Sequence, residues 1–152
     1  MNKFLITFLI ITGFAFASYS QCNYTLIDSC KKDIGANTYL RHFKIRFKKA
    51  KRKSKISNAN FSVYLTKGNV YQITTRNDSI QEGIAVVKLY DDFRYYIGNL
   101  DNKTNKIRKS FAFSCKKTGI YYITAHFDEG KEGCAVIMLS LREKEKNKYS
   151  WD

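Results

Sequence analysis

The sequence predicts an all-β fold, a single β-sandwich or jelly roll of about eight antiparallel strands. Apolar and polar residues alternate with period two in short runs, such as residues 43–47 and 61–65. Gly, Asn and Asp residues separate these runs, and no long stretch has the spacing of an amphipathic helix. The chain has 152 residues, 44% of them hydrophobic, and no proline. It therefore suits one domain with a real hydrophobic core.

Residues 1–20 are predicted to be a cleaved secretory signal peptide. One lysine precedes a short apolar run, and small residues follow it, so that cleavage after Ala17 or Ser20 fits. A membrane-spanning helix would need about 20 apolar residues, more than this run supplies. Because Gln21 rather than a small residue precedes Cys22, lipidation is not expected. We expect a secreted, periplasmic or cell-surface protein without a transmembrane segment after cleavage.

Residues 21–141 are predicted to form the β-sandwich domain. Its strands are expected, in chain order, at residues 40–48, 61–65, 70–75, 84–90, 93–97, 111–113, 120–127 and 134–141. The short N-terminal segment at 22–32 fits a short helix as well as an edge strand. The charged tail, residues 142–152, is expected to fray.

Three motifs resemble those of the bacterial pre-peptidase C-terminal domains. Residues 61–71 (FSVYLTKGNVY) are similar to their "apolar strand, Gly, x, x, Tyr" hairpin, and residues 87–91 (VKLYD) to their central strand. Residues 111–113 and 118–123 (TGIYYI) are similar to their late hairpin. The resemblance covers about residues 38–141 and implies a jelly-roll accessory module, secreted with or beside enzymes and itself not catalytic.

The chain also departs from that family, because it stands alone, has four cysteines and carries a basic insert. Its leader and the residues just after it resemble those of small secreted Bacteroidetes proteins, many of which have no known activity.

The four cysteines predict disulfide bonds, since an even number follows the signal peptide. Zinc is disfavoured because no pair has Cys-x-x-Cys spacing. A strand at 120–127 would hold Cys115 and Cys134 about 25 Å apart, beyond the ~7 Å limit for bridged Cα atoms. We therefore predict a Cys30–Cys115 bridge, which leaves Cys22 for Cys134. A Cys22–Cys30 bridge closing a small N-terminal loop is an alternative.

A run of nine basic residues without an acid extends from Arg41 to Lys55. The whole chain has a net charge of +14, and loss of residues 1–20 leaves 26 basic against 13 acidic residues, or +13. Lys44 and Arg46 are expected on the polar face of a strand, and the six bases from Lys48 to Lys55 at the tip of a hairpin. The predicted anion-binding residues are Lys44, Arg46, Lys48, Lys49, Lys51, Arg52, Lys53 and Lys55.

Such a tip predicts binding to an anionic surface or polymer, such as lipopolysaccharide or acidic polysaccharide. The alternative is a solubilising loop on a structural, envelope-associated protein, because edge lysines prevent aggregation. Nucleic acid is disfavoured, because the leader directs the chain out of the cytoplasm and the run lacks interleaved aromatic residues. The sequence does not indicate the oligomeric state.

Other candidate sites are weaker. Six tyrosines either stack on carbohydrate or pack across strands; they are Tyr71, Tyr90, Tyr95, Tyr96, Tyr121 and Tyr122. Three aspartates either bind calcium or cap turns; they are Asp91, Asp92 and Asp101. No nucleophile or phosphate-loop motif occurs, so no catalytic residue, metal or cofactor is predicted. A small hydrolase would require His126 and acidic residues in one cleft.

Overall fold

Ten β-strands and one α-helix form the fold in the computed structural model, which describes Cys22 and residues 24–142. The helix is α1 (Tyr24–Ile34), and the first five strands are β1 (Thr38–Phe47), β2 (Ala59–Leu65), β3 (Val70–Asn77), β4 (Ala85–Tyr90) and β5 (Tyr95–Gly98). The others are β6 (Leu100–Asp101), β7 (Lys106–Ile107), β8 (Ser110–Ser114), β9 (Gly119–Phe127) and β10 (Gly133–Leu141). Two short 3-10 helices lie at Lys53–Lys55 and Asp128–Gly130.

Eight of the strands form two antiparallel four-stranded sheets. Sheet A has the order β1-β10-β3-β8, and sheet B has the order β2-β9-β4-β5. This is the strand order of a jelly roll, so the predicted all-β sandwich is confirmed. The strands β6 and β7 form a separate two-stranded ladder in a segment that the sequence left unassigned.

The hydrophobic core lies between the two sheets and follows the period-two pattern of each strand. Along β9, Tyr121, Ile123 and Phe127 point inward and are buried, and Ile73 and Ile137 face them from sheet A. This alternation is why the strand bounds predicted from sequence lie close to the observed ones.

Helix α1 covers the outer face of sheet A, where it lies across β3 and β10. Ile27, Cys30 and Ile34 recur at helical spacing and pack on Val136 and Met138 of β10. The N-terminal segment, which the sequence left open between helix and edge strand, is therefore a helix with one apolar face. Because α1 covers it, β10 is buried on both faces.

The connection between β1 and β2 is not the hairpin that the sequence predicted. Strand β1 pairs with β10 at the edge of sheet A, and β2 pairs with β9 at the edge of sheet B. Residues 48–58 therefore cross from one sheet to the other. The alternating pattern identified both strands but not the strands they pair with. A strand with one apolar face can pack against the core from either sheet.

Two predicted segments lie outside the described residues. These are the signal peptide at residues 1–20 and the charged tail beyond Arg142. Among the residues that are described, no helix has the length and apolar character needed to cross a membrane.

Candidate anion-binding surface

The segment between β1 and β2, residues 48–58, is called the basic loop here. Within it, six basic side chains are exposed: Lys48, Lys49, Lys51, Arg52, Lys53 and Lys55. The loop lies at the end of the sandwich where β1 finishes opposite Gly133 and β2 begins opposite Ala125. The structure thus brings together the six loop residues that the sequence proposed, at a crossover rather than at a hairpin tip.

The backbone of the basic loop is held by residues that carry no charge. The Ala50 amide donates a hydrogen bond to the Gly130 carbonyl oxygen over 2.8 Å. Gly130 has φ of +70°, and a Cβ there would lie 2.9 Å from the Ala50 Cβ and 3.1 Å from Ile56 Cγ1. The close approach therefore depends on glycine at this position. Since Ala50 and Ile56 fix the loop, its basic side chains remain free to meet a ligand.

The acids next to Gly130 in the chain are already paired with a different base. Lys131 Nζ lies 3.0 Å from Asp128 Oδ2 and 3.3 Å from Glu129 Oε2. Within residues 24–142, no ion pair involves a base of the loop. Lys49 shares a depression with Glu82 and Glu132, but none of the six bases forms an ion pair with a described acid. The loop therefore keeps an excess of positive charge, which favours anionic partners.

Lys44 and Arg46 extend this basic surface along β1. Both are exposed on the outer face of sheet A, two residues apart, and Arg46 is only two residues from the start of the basic loop. With Cys22 and Tyr24 they line a shallow depression. Lys44 Nζ lies 4.3 Å from the centre of the Tyr24 ring, a cation–π geometry. Lys44 and Arg46 together with the six bases of the basic loop are called the basic surface below.

Sequence reasoning missed Tyr24, which adjoins this surface beside Lys44. The packing of α1 on sheet A and the disulfide bond at Cys22 both hold this part of the chain against β1. Ala50 and Ile56 were also missed, although two apolar residues inside a charged run are a signal that the run has an anchored backbone.

A disulfide bond joins Cys22 to Cys134, the pairing that the sequence predicted, with Cα atoms 5.8 Å apart. Cys134 is the register partner of Arg46 across β1 and β10. The bond therefore holds the segment before α1 beside the basic surface.

The predicted Cys30–Cys115 bridge is wrong, because both residues are free cysteines. Cys30 is buried between α1 and the outer face of sheet A, whereas Cys115 lies in the core between the sheets. Sheet A stands between the two thiols. Burial raises the pKa of the Cys30 thiol to about 12, and the nearby Asp33 charge adds to the effect.

Two of the three candidate calcium ligands, Asp91 and Asp101, accept hydrogen bonds within their own turns, whereas Asp92 contacts Tyr122. Asp91 Oδ1 accepts hydrogen bonds from the amides of Phe93 and Arg94, and Asp91 Oδ2 accepts one from the Tyr96 hydroxyl over 2.6 Å. The Tyr96 hydrogen bond, followed by those two amides, lowers the pKa of Asp91. Asp101 caps the next turn in the same way. Among the described residues, no group of three or more His, Cys, Asp or Glu side chains could hold a metal ion.

His126 lies on the outer face of sheet B, half-buried. Burial, together with the Lys88 charge, lowers its pKa, which favours the neutral imidazole. The Asp128 carboxylate accepts a hydrogen bond from the Ile84 amide over 2.6 Å and binds Lys131. The hydrogen bonds of Asp128 are therefore made to Ile84 and Lys131, and the Asp128 charge acts on His126 only as the smallest of the three influences on its pKa.

The six candidate tyrosines divide between the interior and the surface. Tyr71 and Tyr121 are buried in the core, and Tyr96 packs against Phe113 with ring centres 5.1 Å apart. The other three, Tyr90, Tyr95 and Tyr122, are register partners on the outer face of sheet B.

The fold is shared with a solved structure of low sequence identity. The chain is similar to a crystal structure of Aeromonas hydrophila PliG, a periplasmic lysozyme inhibitor of g-type lysozyme, with a TM-score of 0.51 and 10% identity. The match covers 69% of this chain and 88% of that one. No protein-family model matches the sequence, and no curated protein matches it. The similarity concerns the fold alone.

Proposed function

We propose that this protein is a secreted, non-catalytic jelly-roll module that binds anionic polymers, such as acidic polysaccharide or lipopolysaccharide, through its basic surface. The observation that carries the proposal is a set of six exposed bases on an anchored loop, none of them paired with an acid among the described residues. Lys44 and Arg46 extend the same positive field along β1.

A secreted location is supported by two features. The sequence predicts a cleaved leader, and a disulfide bond joins Cys22 to Cys134, as expected in an oxidising compartment. Non-catalytic binding is supported by the engagement of Asp91, Asp101 and Asp128 in their own turns. A role as accessory module beside secreted enzymes belongs to the same proposal.

Heparin chromatography tests the proposal with two variants of equal charge. In the loop variant, Gln replaces Lys48, Lys49, Lys51, Arg52, Lys53 and Lys55. In the control variant, Gln replaces six exposed lysines elsewhere: Lys32, Lys67, Lys103, Lys106, Lys109 and Lys116. Both variants lose the same charge, so any difference between them reports on the position of the bases.

We expect the loop variant to elute at much lower salt than the control variant. Both should fold, because exposed substitutions usually change stability by less than ~0.5 kcal/mol each, and circular dichroism melts check this. If the parent and the loop variant elute at the same salt concentration, the basic loop serves only solubility. The protein would then be a structural, envelope-associated protein and not a binding module.

A second candidate function is inhibition of a glycan-cleaving enzyme by direct protein contact. The similarity to the PliG structure favours it, since the shared fold spans 88% of that chain. The test is the rate at which a g-type lysozyme clears a bacterial cell-wall suspension as the purified protein is added in equimolar amount. A stoichiometric loss of lytic rate supports inhibition, whereas an unchanged rate rejects it.

A further inference from the structure

The outer face of sheet B, opposite the side that meets the core, and the turn that follows β4 carry a group of aromatic and apolar side chains, four of them exposed and two, Tyr90 and Tyr122, half-buried. We call this group the aromatic face; it consists of Tyr64, Tyr90, Phe93, Tyr95, Ile120 and Tyr122. Exposure is 83% for Phe93, 69% for Tyr64, 54% for Ile120 and 46% for Tyr95. Since most large apolar side chains of a small domain are buried, a contiguous exposed group marks a binding surface.

Strand register arranges the aromatic face in two adjacent rows. Tyr64 of β2 is opposite Ile120 of β9 in one row. In the next row, Tyr122 is opposite Tyr90, and Tyr90 is opposite Tyr95. Four strands spaced ~4.8 Å apart give the face a width of about 14 Å. An area of this shape suits an extended ligand that crosses the strands.

Tyr95 lies along the sheet instead of standing out from it. Its hydroxyl is 3.2 Å from the position that a Cβ on Gly98 would occupy, so the ring runs over the bare backbone of β5. The ring centres of Tyr95 and Tyr90 are 5.4 Å apart, with 56° between their planes. A ring that lies on a sheet can present a face to a ligand, as stacking requires.

Polar groups of both charges border the rings. Lys117 Nζ lies 5.4 Å from the centre of the Phe93 ring. A hydrogen bond between Asp92 and Tyr122 raises the pKa of that tyrosine. Ser62 and Lys88 flank the second row on the same face of the sheet. Both an acid and bases therefore border the rings, whereas the basic loop carries bases only.

This arrangement matches a neutral sugar chain better than a protein. The core of a protein interface is depleted in charged groups, whereas here charged and hydroxyl groups adjoin the rings. A β-linked pyranose chain has flat apolar faces for stacking and hydroxyl edges that bond to carboxylate, ammonium and hydroxyl groups. We propose that the aromatic face binds neutral β-linked oligosaccharides by stacking sugar rings on Tyr64, Tyr90 and Tyr95.

The two proposed sites are far enough apart to be tested separately. The basic loop reaches sheet B at Ala59, and Tyr64 is near the other end of β2, about 17 Å away at ~3.3 Å per residue. The aromatic face would thus take a neutral sugar chain while the basic surface holds an anionic one. Loss of either activity need not affect the other.

Isothermal titration calorimetry with chitohexaose and with cellohexaose tests this inference. The buffer contains about 1 M NaCl, where the Debye length is ~3 Å and the basic surface is screened. We expect the parent to bind at least one hexasaccharide, and Tyr64→Ala with Tyr95→Ala to weaken binding roughly tenfold or more. Tyr95→Phe, which keeps the ring, should bind within about twofold of the parent.

Two controls separate the aromatic face from other surfaces. Tyr24→Ala removes an exposed tyrosine from the opposite side of the molecule and should leave saccharide binding unchanged, as should the loop variant. If the parent binds neither hexasaccharide at millimolar concentration, or if the double variant binds as the parent does, the aromatic face is not a saccharide site. The heparin result then still decides the anion-binding proposal.

Discussion

The outer faces of the two sheets are built from similar strands but have opposite environments. On sheet A, α1 covers Val136 and Met138, and both are buried. On sheet B, Tyr64 and Ile120 remain exposed because no described helix covers them. One layer of helix therefore converts a sheet face into a second core, while the other face keeps its apolar side chains available for binding.

Loss of the disulfide bond should have the largest effect on stability. The bond fixes the segment before α1 to β10, on the side of the sandwich that α1 covers. Its cysteines are 112 residues apart, and cross-links over long loops restrict the unfolded chain strongly. Replacing Cys22 and Cys134 together by Ser should cost about 2–5 kcal/mol. Urea unfolding of the double variant measures this loss, and an unchanged midpoint would show that the bond does not support the fold.

Equivalent substitutions by alanine on the two outer faces should lower the free energy of unfolding by different amounts. Met138→Ala removes a fully buried side chain and should cost about 2–5 kcal/mol. Ile120→Ala removes one that is 54% exposed and should cost less than about 1 kcal/mol. Thermal and urea unfolding compare the two, and equal losses would mean that sheet B is covered as fully as sheet A.

Alkaline pH should lower the free energy of unfolding through Cys30, which lies between α1 and sheet A. Its thiol titrates near 9 when unfolded and at a pKa of about 12 when folded. Between these values the unfolded chain binds fewer protons, so stability is complete below about pH 9 and falls as pH rises. The slope reaches ~1.4 kcal/mol per pH unit.

The matched variant for this effect is Cys30→Ala, which has no thiol to titrate. Its stability should fall less steeply than that of the parent between about pH 9 and 10.5. Urea unfolding midpoints at several pH values provide the comparison. If the midpoints of the parent and of Cys30→Ala fall equally with pH, Cys30 is not the cause.

The smallest effect should come from the ion pair that joins α1 to β3. Arg76 Nη2 donates to Asp33 Oδ1 over 2.7 Å, with both side chains partly exposed. Asp33→Asn should therefore cost only about 0.2–1 kcal/mol, and less at high salt. A loss of several kcal/mol would show that the pair, and not the apolar contact of α1, holds the helix in place.

Much of the fold could be predicted because alternation along a strand records which side chains share a face. It located β1 through β5 and β8 through β10, and the continuous apolar run of β10 reflects burial on both faces. Alternation requires neighbours such as Tyr121 and Tyr122 to lie on opposite faces. It could not say which of them points inward, because both have the same side chain.

Other features depend on contacts between distant segments. The Cys30–Cys115 prediction was wrong because nothing local shows that α1 lies outside the sandwich while Cys115 lies inside it. The basic residues were identifiable from the sequence alone, as a run of bases without an acid. That they lie on a connection between the two sheets, held at Gly130, could not be predicted without knowing which strands β1 and β2 pair with.

The salt dependence of heparin binding tests the central claim most directly. Calorimetric titration of a heparin oligosaccharide at several salt concentrations gives the slope of log affinity against log salt, which reflects the number of counterions released. We predict a steep slope for the parent and for the control variant, and a much shallower slope for the loop variant. Equal slopes for the loop and control variants would show that net charge alone attracts the polymer, which contradicts a binding site on the basic surface.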